Sequence, residues 1–261
     1  MTTPRQYTTQ LCAGLGAISE TIELLRLWKQ GMSAEDLSRT AVTSGTFARS
    51  TARRTRNLAV EMFAPRFLCD NGRPAAQIQR LLERRPAHDL VVQLFFLQAA
   101  RAHAILRDFI VQVYWPKYSA AANHLTRADA ESFIQHALDA GRMVKRWAPS
   151  VAVRIAQYLI GICVDFELLG IGNRVQRPFR RYFIRRETAL YLAYDLHFSG
   201  LSDMSVVAHA DWLLFGLEPE EVTAQMKHLA ADRHLLVQSS GELTQISWTY
   251  RTMEECLHAI S

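Results

Sequence analysis

Apolar residues recur along most of the chain at intervals of three and four, the spacing of helices that bury one face. The pattern predicts one amphipathic helix from Leu11 to Gln30, ending near Gly31. Ser33 is placed to cap a short second helix, with Glu35 and Asp36 in its first turn. Thr43-Ser44-Gly45 reads as a turn. A third helix follows to about Phe63, and Pro65 should stop it. Gln77 to Arg84 predicts another short helix, ended by Pro86.

The longest helical pattern runs from Asp89 to Tyr114. Polar residues recur at Asp89, Gln93, Arg101, Asp108 and Gln112, read as a narrow stripe on an otherwise apolar cylinder. This is the expected central buried helix, ended by Trp115-Pro116. Thr126 should cap a helix to Ala140, with Gly141 as its C-cap, and Ser150 starts another to about Leu169. Glu187 to Phe198 is apolar and aromatic. Ser202 caps the next helix, and Glu218-Pro219-Glu220-Glu221 opens one more. Leu235 to Gln238 and Glu242 to Tyr250 read as strands joined by Ser239-Ser240-Gly241, before a last helix opened by Thr252 and Glu255. The expectation is a mostly α fold. It is a multi-helix bundle with an N-terminal helix-turn-helix-like segment and a small C-terminal winged-helix-like hairpin. The expected domains are 1–186 and 187–261.

Composition changes this picture through the position of charge, not its total. The 261 residues carry a net charge of +5. Residues 39–107 hold +8, residues 142–186 hold +8, and residues 187–261 hold −8. Arginine far outnumbers lysine, which a G+C-rich genome alone would produce. Genome bias does not segregate charge. Basic blocks point first to a polyanion such as nucleic acid, and an acidic end points to a protein partner. An uneven solvated surface is the plain alternative.

Neither a signal peptide nor a membrane span is expected: no window of 18 apolar residues is free of charge. The four cysteines are scattered, which suits buried thiols in a reducing cytoplasm. No catalytic motif is evident. Gly14-Leu15-Gly16 and Gly170-Ile171-Gly172 lack the rest of a dinucleotide loop. His228 and His234 have no ligand partners nearby, and His209-Ala210-Asp211 is adjacent in sequence only. Asp165 and Glu167 are two apart and diverge on a helix. The expectation is a non-enzyme with no metal and no cofactor. A site assembled from distant residues would leave no such motif.

The sharpest constellation is Thr46-Phe-Ala-Arg-Ser-Thr-Ala-Arg-Arg-Thr-Arg-Asn57. On a continuous helix, Arg49, Arg53 and Arg56 fall within an arc of roughly 60°. Arg54 lies to one flank, and Ser50 and Thr51 add hydroxyls. Phe47, Leu58 and Met62 fall opposite. Helix, turn, basic helix is the order of a helix-turn-helix, and guanidinium forks suit phosphates and guanine edges. No acidic residue lies between Asp36 and Glu61 to neutralise them. Other anionic contact and a solvated helix face remain the competing readings. In the second block, Arg177, Arg180, Arg181, Arg185 and Arg186 interleave with aromatics. They could grip a backbone and stack on bases, or form a linker whose aromatics pack inward. Lys145 and Arg146, beside Trp147, form a smaller basic turn of the same kind.

Several stretches together resemble the BrxA family of bacteriophage-exclusion (BREX) defence systems. They are Tyr7-Thr-Thr, Ser50-Thr-Ala-Arg-Arg-Thr-Arg-Asn-Leu58, Arg177-Pro-Phe, Tyr191-Leu-Ala-Tyr-Asp-Leu-His-Phe198, Trp212-Leu-Leu-Phe-Gly-Leu217 and Ile246-Ser-Trp-Thr-Tyr-Arg-Thr-Met-Glu-Glu255. The resemblance implies a cytosolic, mostly helical protein that binds double-stranded DNA without catalysis. Its implied partners are other BREX proteins, including the DNA methyltransferase, in host methylation and phage restriction. Two other functions compete: an assembly adaptor docking through the acidic C-terminal region, and an RNA-binding regulator.

Overall fold

The computed structural model describes residues 6–13, 16–173, 175–240 and 243–260, and the chain is mostly helical. It divides into two compact units: residues 1–79 with 95–182, and residues 80–94 with 183–261. Arg185 and Arg186, placed in the first domain by charge, belong to the second unit.

In the first unit, α1 (Ile18–Leu27) is preceded by a short 3-10 turn, Gln10–Ala13. The single helix expected from Leu11 is therefore broken. Gly16 explains the break. Its N–H donates to the Asp165 carboxylate at 3.0 Å, and a side chain there would collide with Asp165 Cβ. Ser33 caps α2 (Ala34–Thr43) by accepting from the Asp36 N–H. Turns occupy the next residues, and α3 (Ala52–Arg56) starts only after Thr51, whose hydroxyl accepts from the Arg54 N–H. The expected helix through Arg49 is thus a turn followed by a five-residue helix.

Pro65 does not end that helix. A π-helical stretch, Asn57–Phe63, leads into α4 (Ala64–Phe67), with Pro65 in the first turn of α4. The same arrangement recurs at Pro116, where π-helical Ile110–Tyr114 leads into α8 (Trp115–Ser119). In both places the residue before the proline donates to the carbonyl five back, from Ala64 to Ala59 and from Trp115 to Ile110. The wider turn moves the carbonyl that a proline ring would strike, so the helix passes through.

The expected central helix is also two helices. α6 (His88–Ala102), which follows α5 (Cys69–Glu83), ends at His103. That residue has extended backbone, φ −122° and ψ 98°, before α7 (Ala104–Phe109). The helical runs on either side meet at 110°. The His103 N–H still donates to Ala99, and its carbonyl accepts from Leu106 and Arg107, so one residue makes the bend at little cost in backbone hydrogen bonds.

Thr126 and Asp129 form a capping box on α9 (Arg127–Asp139), which packs on α10 (Pro149–Asp165). An antiparallel pair joins β1 (His124–Thr126) to β2 (Gln176–Pro178), a feature with no signature in the sequence. The core of this unit is a run of rings: Phe63 on Phe67, Phe67 on Phe95, and Phe109 on Phe133. Tyr7 is buried beside them. Its hydroxyl donates to Asp108 at 2.7 Å, and Arg142 donates to the same carboxylate while lying over the Tyr7 ring.

The second unit is built on α11 (Arg186–Phe198), which is buried over most of its length. Around it lie α12 (Asp203–Val207), a 3-10 turn Trp212–Phe215, α13 (Pro219–Ala231), the hairpin β3 (Leu235–Ser240) and β4 (Leu243–Trp248), and α14 (Met253–Ala259). Polar side chains inside it hold backbone. The Tyr194 hydroxyl donates to the His234 carbonyl and accepts from the Thr249 and Tyr250 N–H groups. Asp203 accepts from the Ile246 N–H and the Trp248 indole, which ties α12 to β4. Gln93, from α6, donates to the Phe183 carbonyl and accepts from the Arg185 N–H.

Among the described residues no single helix is long and apolar enough to cross a membrane. Cys163 and Cys256 are buried, and burial pushes both thiols far above the ordinary range. Cys69 is exposed, against the expectation of buried thiols.

Candidate nucleic-acid interface

The first unit holds 22 basic and 12 acidic residues, and the second holds 8 and 13. Each unit therefore has its own sign, although the chain as a whole is near neutral for its size.

Arg49, Arg53, Arg54 and Arg56 are all exposed. None of the four makes an ion pair or a side-chain hydrogen bond among the described residues. The local fold causes this. Thr55, Leu58, Ala59 and Met62 turn into the core, so the arginines of α3 take the outer face. Arg53 and Arg56 are three apart and share a side of the helix. Arg49 is not on that helix but in the turn before it, a correction to the predicted three-arginine face. Ser50 is half-buried. Thr51 is exposed, with its hydroxyl occupied as the cap of α3.

The second block has a different fate. Arg177 donates to the Gly172 carbonyl at 2.7 Å, and Arg180 lies 3.7 Å from Glu167. Arg185 pairs with Asp89 and with Glu187, the latter at 3.0 Å, and Arg186 pairs with Asp232. The hydrogen bonds that Arg185 donates to Glu187 and Asp89 raise its pKa. Only Arg181 of the predicted set is exposed and without a partner among the described residues. Arg174 lies outside the described residues. The interleaved aromatics also differ among themselves. Phe179 packs on Tyr114 and Tyr118, and Tyr182 packs on Trp115, whereas Phe183 is exposed.

Lys145 and Arg146 are exposed in the loop after α9. Arg146 and Trp147 border a groove of about 720 Å³ whose other walls include Glu131 and Asp139. That groove carries both signs. Arg154 on α10 is a further exposed arginine without a partner among the described residues. Its place in the polar stripe Arg154, Gln157 and Asp165 is the signal that marks it.

Other residues weighed as chemistry are engaged in structure. Asp165 holds the Gly16 N–H, and Glu167 faces Arg180. Asp211 is buried next to His209. His234 Nδ1 is 2.8 Å from the Tyr250 hydroxyl, and His228 is exposed. Gly14 and Leu15 lie outside the described residues. Among the described residues no three His, Cys, Asp or Glu side chains converge as metal ligands.

The stretches that carried the family resemblance divide in the same way. Tyr7, Tyr191, Tyr194 and Trp212 are core residues. Ser50 to Arg56 presents Arg53, Arg54 and Arg56 to solvent.

No curated protein is significantly similar to the chain. The crystal structure of an uncharacterized protein from Magnetospirillum magneticum matches 74% of this chain and 95% of its own, with a TM-score of 0.58 and 17% identity. That likeness concerns the fold alone. Residues 5–195 match the BrxA family, which spans the first unit and much of α11. The chain belongs to the BrxA family, and this membership associates it with BREX phage defence.

Proposed function

We propose that the chain is a non-catalytic, double-stranded DNA-binding subunit of its BREX system. It would act in the cytoplasm beside the DNA methyltransferase, in host methylation and phage restriction. The supporting observation is the cluster Arg49, Arg53, Arg54 and Arg56. It is exposed and free of carboxylates on a unit whose charge is strongly positive. Guanidinium groups held this way meet phosphates without first breaking an internal ion pair. The segment from α2 to α3 is read as helix-turn-helix-like, with a long turn that itself carries Arg49. Lys145, Arg146 and Arg181 are candidates for added backbone contact. Contact of this kind positions more than it specifies, so affinity is expected to depend steeply on salt and weakly on sequence.

A mobility-shift titration of duplex DNA over a range of salt concentrations tests the reading. Binding that is absent at low salt, or insensitive to salt, would refute it. Tighter binding to single strands or RNA would favour the regulator alternative.

The second reading is a protein-docking role for the second unit. The order α11, α12, α13, then the β3–β4 hairpin is read as winged-helix-like. Glu218 caps α13 and Glu220 and Glu221 lie in its first turn, all three exposed. Acid at the position where such a domain would meet DNA favours a protein partner over a phosphate backbone. Charge reversal at Glu220 and Glu221 should release a partner from the assembled complex while DNA binding is retained.

A further inference from the structure

After α10 the chain of the first unit doubles back on itself. Leu169 and Phe179 form an antiparallel bridge, and the Gly170 N–H donates to the Pro178 carbonyl at 2.8 Å. The turn above that bridge is tight: a Cβ at Gly172 would lie 2.5 Å from the Gln176 carbonyl oxygen. Hydrogen bonds fix it from several sides. Asn173 Oδ1 accepts from the N–H groups of Val175 and Gln176 at 2.8 and 2.9 Å. The Arg177 guanidinium donates to the Gly172 carbonyl, and the Arg127 N–H donates to the Val175 carbonyl.

This ordered turn holds its apolar residues outward. Ile171 is 90% exposed and Val175 is 66% exposed, and Ile171 is the most exposed large apolar side chain among the described residues. Single apolar residues on a surface are ordinary, but two on one hydrogen-bonded turn make a fixed apolar point. Donors stand beside it. The Asn173 oxygen is taken by backbone, so the amide NH2 is turned away from the turn and keeps both its hydrogens. Arg177 makes no ion pair among the described residues and retains N–H groups beyond the one given to Gly172. No acidic residue lies between Glu167 and Glu187.

We propose that Ile171 and Val175 form an apolar wedge that enters the minor groove of duplex DNA and unstacks a base step. This rests on the DNA-binding reading above and adds how the duplex is deformed. Isoleucine is among the side chains that slide between base pairs, because it replaces base stacking with apolar contact. The minor groove presents acceptors at A·T pairs, which suits the amide hydrogens of Asn173 and the guanidinium of Arg177. The exposed neighbours Gly172, Asn173 and Gln176 add no large apolar surface. The point is therefore too small for the core of a protein interface, yet it matches the width of one base step.

The test uses the full chain and a short duplex of alternating T and A, with 2-aminopurine replacing some adenines and a fluorophore pair at the ends. Pyrimidine–purine steps of this kind unstack readily. The wild-type protein should raise 2-aminopurine emission and bend the duplex by on the order of 20–90°. Ile171→Ser combined with Val175→Ser should abolish both signals while the duplex is still bound. The salt slope should stay unchanged, since no charge is removed. Ile171→Leu should keep the response, and its loss there overturns an apolar wedge. Should the double variant fail to fold, Ile171→Ser alone carries the comparison. A wild-type protein that does not bind the duplex at all removes the DNA-binding reading, and the wedge with it. Salt-dependent binding without unstacking or bending overturns the wedge alone. So does a double variant that still unstacks and bends the duplex, and if that variant also releases a protein from the assembled complex, the turn is a protein contact instead.

Discussion

The arginines around α3 and those between Arg177 and Arg186 look alike in sequence: both are dense, both lie in blocks of +8, and both sit near aromatic or apolar residues. Their surroundings in the fold are opposite. The first cluster faces solvent with no carboxylate beside it. In the second, Arg180, Arg185 and Arg186 meet Glu167, Asp89, Glu187 and Asp232. Much of the acidic C-terminal charge is absorbed in the same way, since Asp203 holds β4 while Asp195 and Asp211 are buried. Charge available to a partner is what remains after the fold has taken its share. A count along the sequence measures only the starting amount.

The largest expected effect concerns His103, a histidine that faces neither water nor carboxylate. His103 is 3% exposed, and burial pushes its folded pKa down to about 3 from an ordinary value of 6.5. The unfolded chain therefore binds the extra proton first. Stability is fully present above pH 6.5 and falls as pH drops toward 3, by about 1.4 kcal/mol per pH unit once below 6.5. Urea unfolding between pH 7 and 4.5 measures the slope, and His103→Phe should remove it. A wild-type slope near zero would mean that the ring is hydrated in the fold.

Next comes the exposed cluster. Replacing Arg53, Arg54 and Arg56 together by Ala should weaken duplex DNA binding by on the order of 100-fold at low salt. The same change should reduce the log–log salt slope by about 2–3. Unchanged affinity and slope would erase the distinction between the two arginine regions. Arg185→Ala is the matching control. It should cost about 1–2 kcal/mol in chemical denaturation, because Asp89 and Glu187 lose a shared partner, while DNA affinity changes by less than about twofold. A large loss of DNA binding there would show that the pairs open on contact. The smallest effect is expected from Tyr7→Phe, about 1 kcal/mol, since Arg142 still holds Asp108 after the hydroxyl is gone. Calorimetry of the two proteins measures it.

Local features were readable where one residue carries the signal. The caps at Ser33, Thr126, Ser202 and Thr252 all accept the expected N–H, and the hairpin and the acidic start of α13 follow from turn and dipole chemistry. What escaped was produced by tertiary contact. The bend at His103 breaks no hydrophobic period and involves no Gly or Pro. The usual rule for proline ends a helix at 65 and at 116, and π-helical turns upstream set it aside. β1 and β2 are three residues each and pair across about 50 positions, so no local pattern marks them. For the candidate site, the exposed character of Arg53, Arg54 and Arg56 was legible from the absence of nearby acid. The pairing of Arg185 with Asp89 was not, because the partner lies 96 residues away. A charge count along the sequence places Arg66 in a basic block, although only 2% of its surface is exposed.

The second unit takes residues 80–94 from early in the chain and the remainder from residue 183 onward. Gln93 is the joint, gripping Phe183 and Arg185 from the far side of that gap. During synthesis, residues 80–94 leave the ribosome well before their partners exist, and they wait while roughly 90 further residues are made, for several seconds at ordinary elongation rates. The first unit has by then received all its residues. The basic body can therefore be assembled while the acidic one is still incomplete. A C-terminal fragment beginning at residue 183 would lack a wall that only the earlier chain supplies.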